Sequence, residues 1–295
     1  MNNGWTFRLS LKTIGFLMRP HVVALVVPLL AGSCWSGVVF AQPAAPQLAP
    51  YRAIYEVDLS DEAQGSSKIT AISALNGRMA YEFKGSACEG YATSQRLVTS
   101  TQMSEGATAL EDVQMAAYEG VEGESYEFFK RRQVNQTPQQ GQRGSAAKQG
   151  GMTRVEMSQP SSMAFELPEN VTFPVAYQRG MLAAAEAGEP VFTANVFDGS
   201  DDPGQYFQVS TSIGTPFVGK EDSVPHPVLV GVKGWPVTIS YYAASKNAED
   251  MMPIYEINTE IYANGISGNM HFGFRDFTLD FSISELELIP VTPCE

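Results

Sequence analysis

The chain is poor in the residues that carry most catalysis and metal chemistry. It has three histidines and three cysteines in 295 residues. No His-x-x-x-His or Cys-x-x-Cys pair occurs, which argues against a zinc site. No Gly-x-Ser-x-Gly elbow occurs either. A hydrolytic set assembled from distant positions stays open; it would require His226 or His271, the two histidines beyond the leader, beside a serine or a carboxylate. Positive charge is also scarce. Lys and Arg number 19 against 32 Asp and Glu, for a net charge of −13. That balance opposes binding to nucleic acid or to anionic headgroups. The sequence therefore predicts no catalytic set, no metal and no cofactor.

Two near misses illustrate these absences. Residues 214–220 (Gly214-Thr215-Pro216-Phe217-Val218-Gly219-Lys220) have the glycine and lysine spacing of a phosphate-binding loop. Glu221 follows where a hydroxyl should hold magnesium, and Pro216 removes a backbone donor. Asp198-Gly199-Ser200-Asp201-Asp202 gathers carboxylates without EF-hand spacing and reads as a solvated turn.

What is present begins with an export signal. Arg8, Lys12 and Arg19 precede an apolar run from Val22 to Phe40, and no acidic residue lies nearby. Val39-Phe40-Ala41 predicts cleavage after Ala41. An uncleaved anchor is the alternative, but Pro28, Gly32 and Gly37 interrupt a span that needs about 20 apolar residues. Lipidation at Cys34, within Leu30-Ala31-Gly32-Ser33-Cys34, is the other. Its apolar continuation to Phe40 lacks a lipoprotein's polar tether. Removing the three basic leader residues deepens the charge from −13 to −16. Two cysteines then remain, Cys88 and Cys294. An even count in an exported chain argues for a bridge, with two separate buried thiols as the alternative. A bridge would close a loop of about 200 residues, for which chain entropy gives at most roughly 5 kcal/mol.

Residues 42–50, rich in Pro, Ala and Gln, read as a mobile leader. Strand patterns dominate residues 51–295, one all-β domain. Tyr51, Ala53, Tyr55, Val57 and Leu59 alternate with mostly polar neighbours, placing one face in a core. Asn76-Gly77 and Asn264-Gly265 are read as hairpin turns. Phe277, Leu279, Phe281 and Ile283 keep one phase and Leu286 and Leu288 the other, which predicts a bulge near Ser284–Glu285. Bent strands suit a curled or barrel-like sheet. Residues 136–153, rich in Gln, Gly, Ser and Ala, read as a disordered loop. Residues 175–187 read as the one helix, ended by Gly188, packed inside or outside the sheet. Trp235, Tyr241, Tyr242, Phe272, Phe274 and Phe277 form an aromatic set that is either core or the lining of a groove.

An ordered set of short segments then carries a resemblance. These are Tyr55-Glu56-Val57-Asp58-Leu59, Ser86-Ala87-Cys88-Glu89-Gly90-Tyr91 with Gln95-Arg96, Leu167-Pro168, Phe173-Pro174, Val196-Phe197-Asp198-Gly199-Ser200, Trp235-Pro236-Val237, Tyr255-Glu256, Asn264-Gly265 and Pro293-Cys294. With them the chain resembles the EipB family of cell-envelope integrity proteins over nearly all of the exported part. The resemblance implies a periplasmic, spiral-like, broken β-barrel of antiparallel strands with one short helix. It implies a disulfide between Cys88 and Cys294, a role in envelope integrity, and a functional link to a periplasmic tetratricopeptide-repeat protein. It implies no enzymatic activity and no cofactor. Tyr91 and Tyr118 stand where the family more often has Trp, and the 136–153 segment looks longer than usual.

The expected function is a non-enzymatic periplasmic factor that acts through protein contacts, with no transmembrane segment in the exported form. The alternative is a carrier or sensor of a lipid or peptidoglycan-related ligand, held in the lumen near the helix. Trp235, Tyr241, Phe272, Phe274 and Leu182 are the candidate lining.

Overall fold

The computed structural model describes residues 47–60, 72–199, 204–244, 252–291 and 294. The export signal with its Ala41 cleavage point, Cys34, residues 42–46 and Ser200-Asp201-Asp202 lie outside the described residues.

Among the described residues, seventeen strands and one α-helix follow in chain order. The first series is β1 (Tyr51–Leu59), β2 (Ile72–Ser86), β3 (Gly90–Met103), β4 (Thr108–Glu119), β5 (Ser125–Val134), the two-residue β6 (Thr137–Pro138), β7 (Gln142–Gln149), β8 (Met152–Gln159) and β9 (Met163–Pro168). Next, β10 (Val171–Thr172) leads into helix α1 (Pro174–Ala187). The second series is β11 (Val191–Val196), β12 (Phe207–Ile213), β13 (Phe217–Val218), β14 (Lys233–Ala243), β15 (Tyr255–Tyr262), β16 (Ser267–Phe274) and β17 (Thr278–Leu288).

Pairing around the sheet runs β10-β11-β12-β14-β15-β16-β17-β1-β2-β3-β4-β5-β7-β8-β9. β13 pairs with β14, and β6 with β5. Every pairing is antiparallel except β10 with β11. The ends of this order, β9 and β10, are consecutive in the chain. The sheet therefore curls into a nearly closed barrel with one seam, as the bent strands predict a curled sheet and the family resemblance implies a broken barrel.

Period-two alternation fixes which face is inside. In β1, Tyr51, Ala53, Tyr55 and Val57 are buried, while Arg52 and Asp58 are exposed. The predicted bulge is present. Ile54 faces Glu285 and Tyr55 faces Ile283, so Ser284 is the extra residue that re-phases Leu286 toward the core. Asn264-Gly265 makes the expected turn between β15 and β16, with Gly265 at φ +84°.

Three readings need correction. Asn76-Gly77 is not a turn but lies within β2. The glycine serves close strand approach: a Cβ there would sit 2.3 Å from the Val98 carbonyl oxygen. Residues 136–153 are not a disordered loop, because β6, β7 and the start of β8 occupy them. Their low-complexity composition supplies small inward residues. Gly144 and Ala146 face Phe128 and Tyr126 of β5, and a Cβ on Gly144 would lie 2.8 Å from the Phe128 ring. The leader also ends earlier than expected. Leu48 is buried, and the Ala49 N–H donates to the Asn264 carbonyl at 2.8 Å.

The core divides in two. The larger part joins inward residues of β1, β2, β12, β14, β15 and β17 to Val175, Tyr177, Met181, Leu182 and Ala185 of α1. The helix thus plugs the lumen. The smaller part lies under β5, β7, β8 and β9 and holds Tyr126, Phe128, Val155, Met157, Phe173 and Phe197.

Candidate functional site

The plugged end of the barrel concentrates the unusual chemistry. A helix start leaves amide N–H groups without intrahelical partners. Phe173 occupies the cap position and has no side-chain acceptor, and Pro174 removes one donor. The remaining amides find a distant partner. Val175 and Ala176 each donate to a carboxylate oxygen of Glu119, both at 2.7 Å. Glu119 ends β4 and is only 3% exposed. Burial pushes its carboxyl up to about 7, against the lowering effect of the two amides, Lys148 and Arg179. Its neighbour Tyr118 donates to the Glu89 carbonyl at 2.6 Å, which ties β4 to the β2–β3 turn. In the sequence alone Tyr118 is noticed and Glu119 is passed over. The missed signal is a predicted helix with an apolar N-cap, which requires an acceptor from elsewhere.

That same turn carries Cys88. The structure brings Cys88 and Cys294 together, with Cα atoms 6.0 Å apart and 206 residues between them in sequence. Such a separation is one a disulfide spans without backbone distortion.

The candidate lining residues separate into two groups. Trp235 and Leu182 are each 1% exposed and lie deep in the helix-plugged core. Tyr241, Phe272 and Phe274 are half-buried on the inner face, toward the strand ends away from the Cys88 turn. There Tyr241 stacks on Tyr255 at 4.4 Å, and Phe274 on Phe277 at 4.7 Å. Tyr242 points to the opposite face of β14, since adjacent strand residues alternate. A cavity of about 210 Å³ opens between β2–β5 and the start of α1, lined by Tyr81, Gln95, Met115, Lys130, Pro174 and Asp198, among others. Burial raises the Tyr81 hydroxyl to about 12 and that of Tyr177 to about 12. These hydroxyls stay protonated near neutral pH.

Comparison with known proteins decides the family. The EipB-like family model matches residues 42–290. The chain belongs to the EipB-like family. It is 35% identical over 264 residues to the cell envelope integrity protein EipB of Brucella abortus (strain 2308), covering 86% of this chain and 90% of that one. Its fold matches the crystal structure of a beta-barrel-like protein of domain of unknown function DUF1849 from Brucella abortus. The TM-score is 0.76 at 31% identity, over 83% of this chain and all of that one.

In this EipB-like chain the two histidines take ordinary places. The His226 ring accepts from the Val228 N–H at 3.3 Å and caps a single 3-10 turn, Pro227–Leu229. His271 Nδ1 meets the Asp280 carboxylate on the outer face of β16 and β17. That pair is a histidine beside a carboxylate, one element of the hydrolytic alternative. It is half-exposed and lies on the face opposite Phe272. Among the described residues, no group of three His, Cys, Asp or Glu side chains gathers as a metal site, and no helix is long and apolar enough to cross a membrane.

Proposed function

We propose that this chain is an exported, non-enzymatic factor of cell-envelope integrity that works in the periplasm through protein contacts. The observation that carries the reading is the occupied lumen. Helix α1 places Met181 and Leu182, 2% and 1% exposed, where a barrel of this kind could hold a ligand. Its inner surface is largely spent on its own packing, so recognition falls to the outside and the seam. The envelope-integrity role comes from the Brucella abortus relative by name. Cleavage after Ala41 and a Cys88–Cys294 disulfide belong to the same proposal, since a long covalent loop suits an oxidising compartment. A periplasmic tetratricopeptide-repeat protein is the partner that the family resemblance suggests.

A second reading has its own support. Half-buried Tyr241, Phe272 and Phe274 could hold the end of a lipid chain without displacing α1.

Deletion of the gene should sensitise cells to detergent and to cell-wall antibiotics, and the wild-type gene should restore resistance. An unchanged deletion strain would end the integrity reading. Native mass spectrometry of protein purified gently from the periplasm separates the two readings. A clean mass that rises by two hydrogens on reduction supports protein contacts and the disulfide. A stoichiometric lipid adduct supports the second reading. The same spectrum reports the cleavage point and any lipid on Cys34.

A further inference from the structure

Among the described residues, the seam leaves part of one strand edge without a neighbour. β10 covers only Asn195 and Val196 of β11. The Phe197 N–H donates across to the Thr172 carbonyl at 3.0 Å, so odd-numbered residues of β11 turn their backbone groups toward the seam. Ile213 donates to the Pro190 carbonyl at 2.8 Å, so even-numbered ones face β12. Alternation then aims the N–H and C=O of Val191 and Thr193 at the seam, beyond the reach of β10. Both residues are exposed.

A groove of about 660 Å³ lies against this edge. Asn170 bounds one side, Tyr177 of α1 and Phe192 line it, and Asn195 and Gln208 contribute carboxamides. None of its lining residues is charged, although the chain carries −13 overall. Open backbone donors and acceptors, flanked by amides and the rings of Tyr177, Phe192 and Tyr242, match an extended peptide. Charged groups would gain no partner there, and a lipid tail would leave the amides unpaired.

We propose that the seam edge of β11 is a docking site for an uncharged, extended peptide segment of a partner protein, which adds as a strand beside Val191–Ala194. The bonds come from the main chain of β11. Small or apolar guest side chains alternate between Tyr177 and Phe192 on one face and solvent on the other. This rests on the protein-contact reading and names the surface for it.

The test uses the exported chain, 15N-labelled, and an acetylated, amidated peptide of alternating threonine and valine at millimolar concentration. The peptide should slow hydrogen exchange at the Val191 and Thr193 amides. The same peptide N-methylated along one edge should not. Thr193→Pro removes the seam-facing donor while leaving the β12 ladder intact, and Asn170→Trp fills the groove from an exposed position. Each should weaken binding by about tenfold or more, the equivalent of one or two lost hydrogen bonds. Both variants should melt close to wild type; if Thr193→Pro does not, Asn170→Trp alone decides. Absence of protection with the unmodified peptide, protection that survives N-methylation, or full binding by Asn170→Trp would overturn the site. So would edge protection that depends on protein concentration without peptide, since that marks a second copy of the chain as the occupant. In cells, seam variants that restore resistance to a deletion strain while the peptide fails to bind defeat the seam alone. A deletion strain with no sensitivity defeats the integrity role and leaves the peptide result standing.

Discussion

Around α1 the barrel is filled by a helix, whereas under β5 to β9 it is filled by rings. The helix-filled part uses mixed aliphatic and aromatic residues from both series of strands. In the ring-filled part, Tyr126 stacks on Phe173 at 5.1 Å and on Phe128 at 5.8 Å, and Phe197 meets Phe128 edge-on at 5.6 Å. Rings need flat, close neighbours, and two glycines provide them: a Cβ on Gly199 would come within 2.4 Å of the Phe128 ring, and one on Gly144 within 2.8 Å. A strand of small residues can thus be as tightly specified as a strand of large ones. Its information lies in what it leaves room for.

The largest expected effect tests the helix-filled part. Leu182→Asp places a carboxylate among fully buried side chains and should cost about 4 kcal/mol or more, enough to unfold the protein at growth temperature. Ala183→Ser, one residue on and exposed, should change stability by no more than about 0.5 kcal/mol. Equal melting temperatures for the two variants would show that α1 packs nowhere.

The tether comes next. Cys88 follows β2 and Cys294 follows β17, two strands that flank β1 in the helix-filled wall. Cys88→Ser or Cys294→Ser should each expose one free thiol and lower stability by about 2–5 kcal/mol. Hydrogen exchange should accelerate in β1, β2 and β17 before it does in β7 and β8. Single variants that melt like the wild type would refute a structural role for the pair.

Glu119 joins the two parts, because it caps α1 from the end of β4, directly across from Tyr126 of β5. Its folded pKa of about 7 lies above the ordinary 4.5. The folded state therefore holds the proton more tightly than the unfolded one. This contribution is fully present below about pH 4.5 and is lost as pH rises through about 7. That difference corresponds to roughly 3 kcal/mol at most. Denaturant midpoints measured from pH 4.5 to 7.5 should fall with pH in the wild type. Glu119→Gln should flatten that slope, and a slope unchanged by the substitution would assign the pH dependence to other groups.

Legibility in the sequence follows the same division. Long alternations of bulky residues, as in Tyr51 to Leu59, announce the helix-filled wall, and a one-residue phase slip announces the bulge at Ser284. The helix shows itself through Ala-rich spacing and Gly188. Ring packing under β7 does not, because Gln142 to Gln149 contribute space and main-chain bonds instead of hydrophobicity, and composition alone equates that with disorder. The Cys88–Cys294 approach was expected from an even cysteine count. The Glu119 cap was not, because an acceptor 56 residues away from Val175 leaves no local pattern. The position of the seam was equally invisible: it depends on where the β8–β9 and β10–β11 pairings stop.

The smallest expected effect separates the two kinds of wall most directly, since it makes one substitution in each. Gly144 in β7 faces the rings, and a Cβ would lie 2.7 Å from the Glu156 carbonyl oxygen and 3.0 Å from the Met157 sulfur. The backbone oxygen cannot yield, so Gly144→Ala should destabilise by about 1–2 kcal/mol. Gly273 in β16 meets nothing within 4 Å. There Gly273→Ala restricts the unfolded chain without a clash and should be neutral or stabilising by up to about 1 kcal/mol. The urea midpoint should therefore fall for Gly144→Ala and hold or rise for Gly273→Ala. A Gly144→Ala variant that melts like the wild type or higher would mean that the ring-filled wall yields to the added methyl, and that the smallness of β7 is incidental.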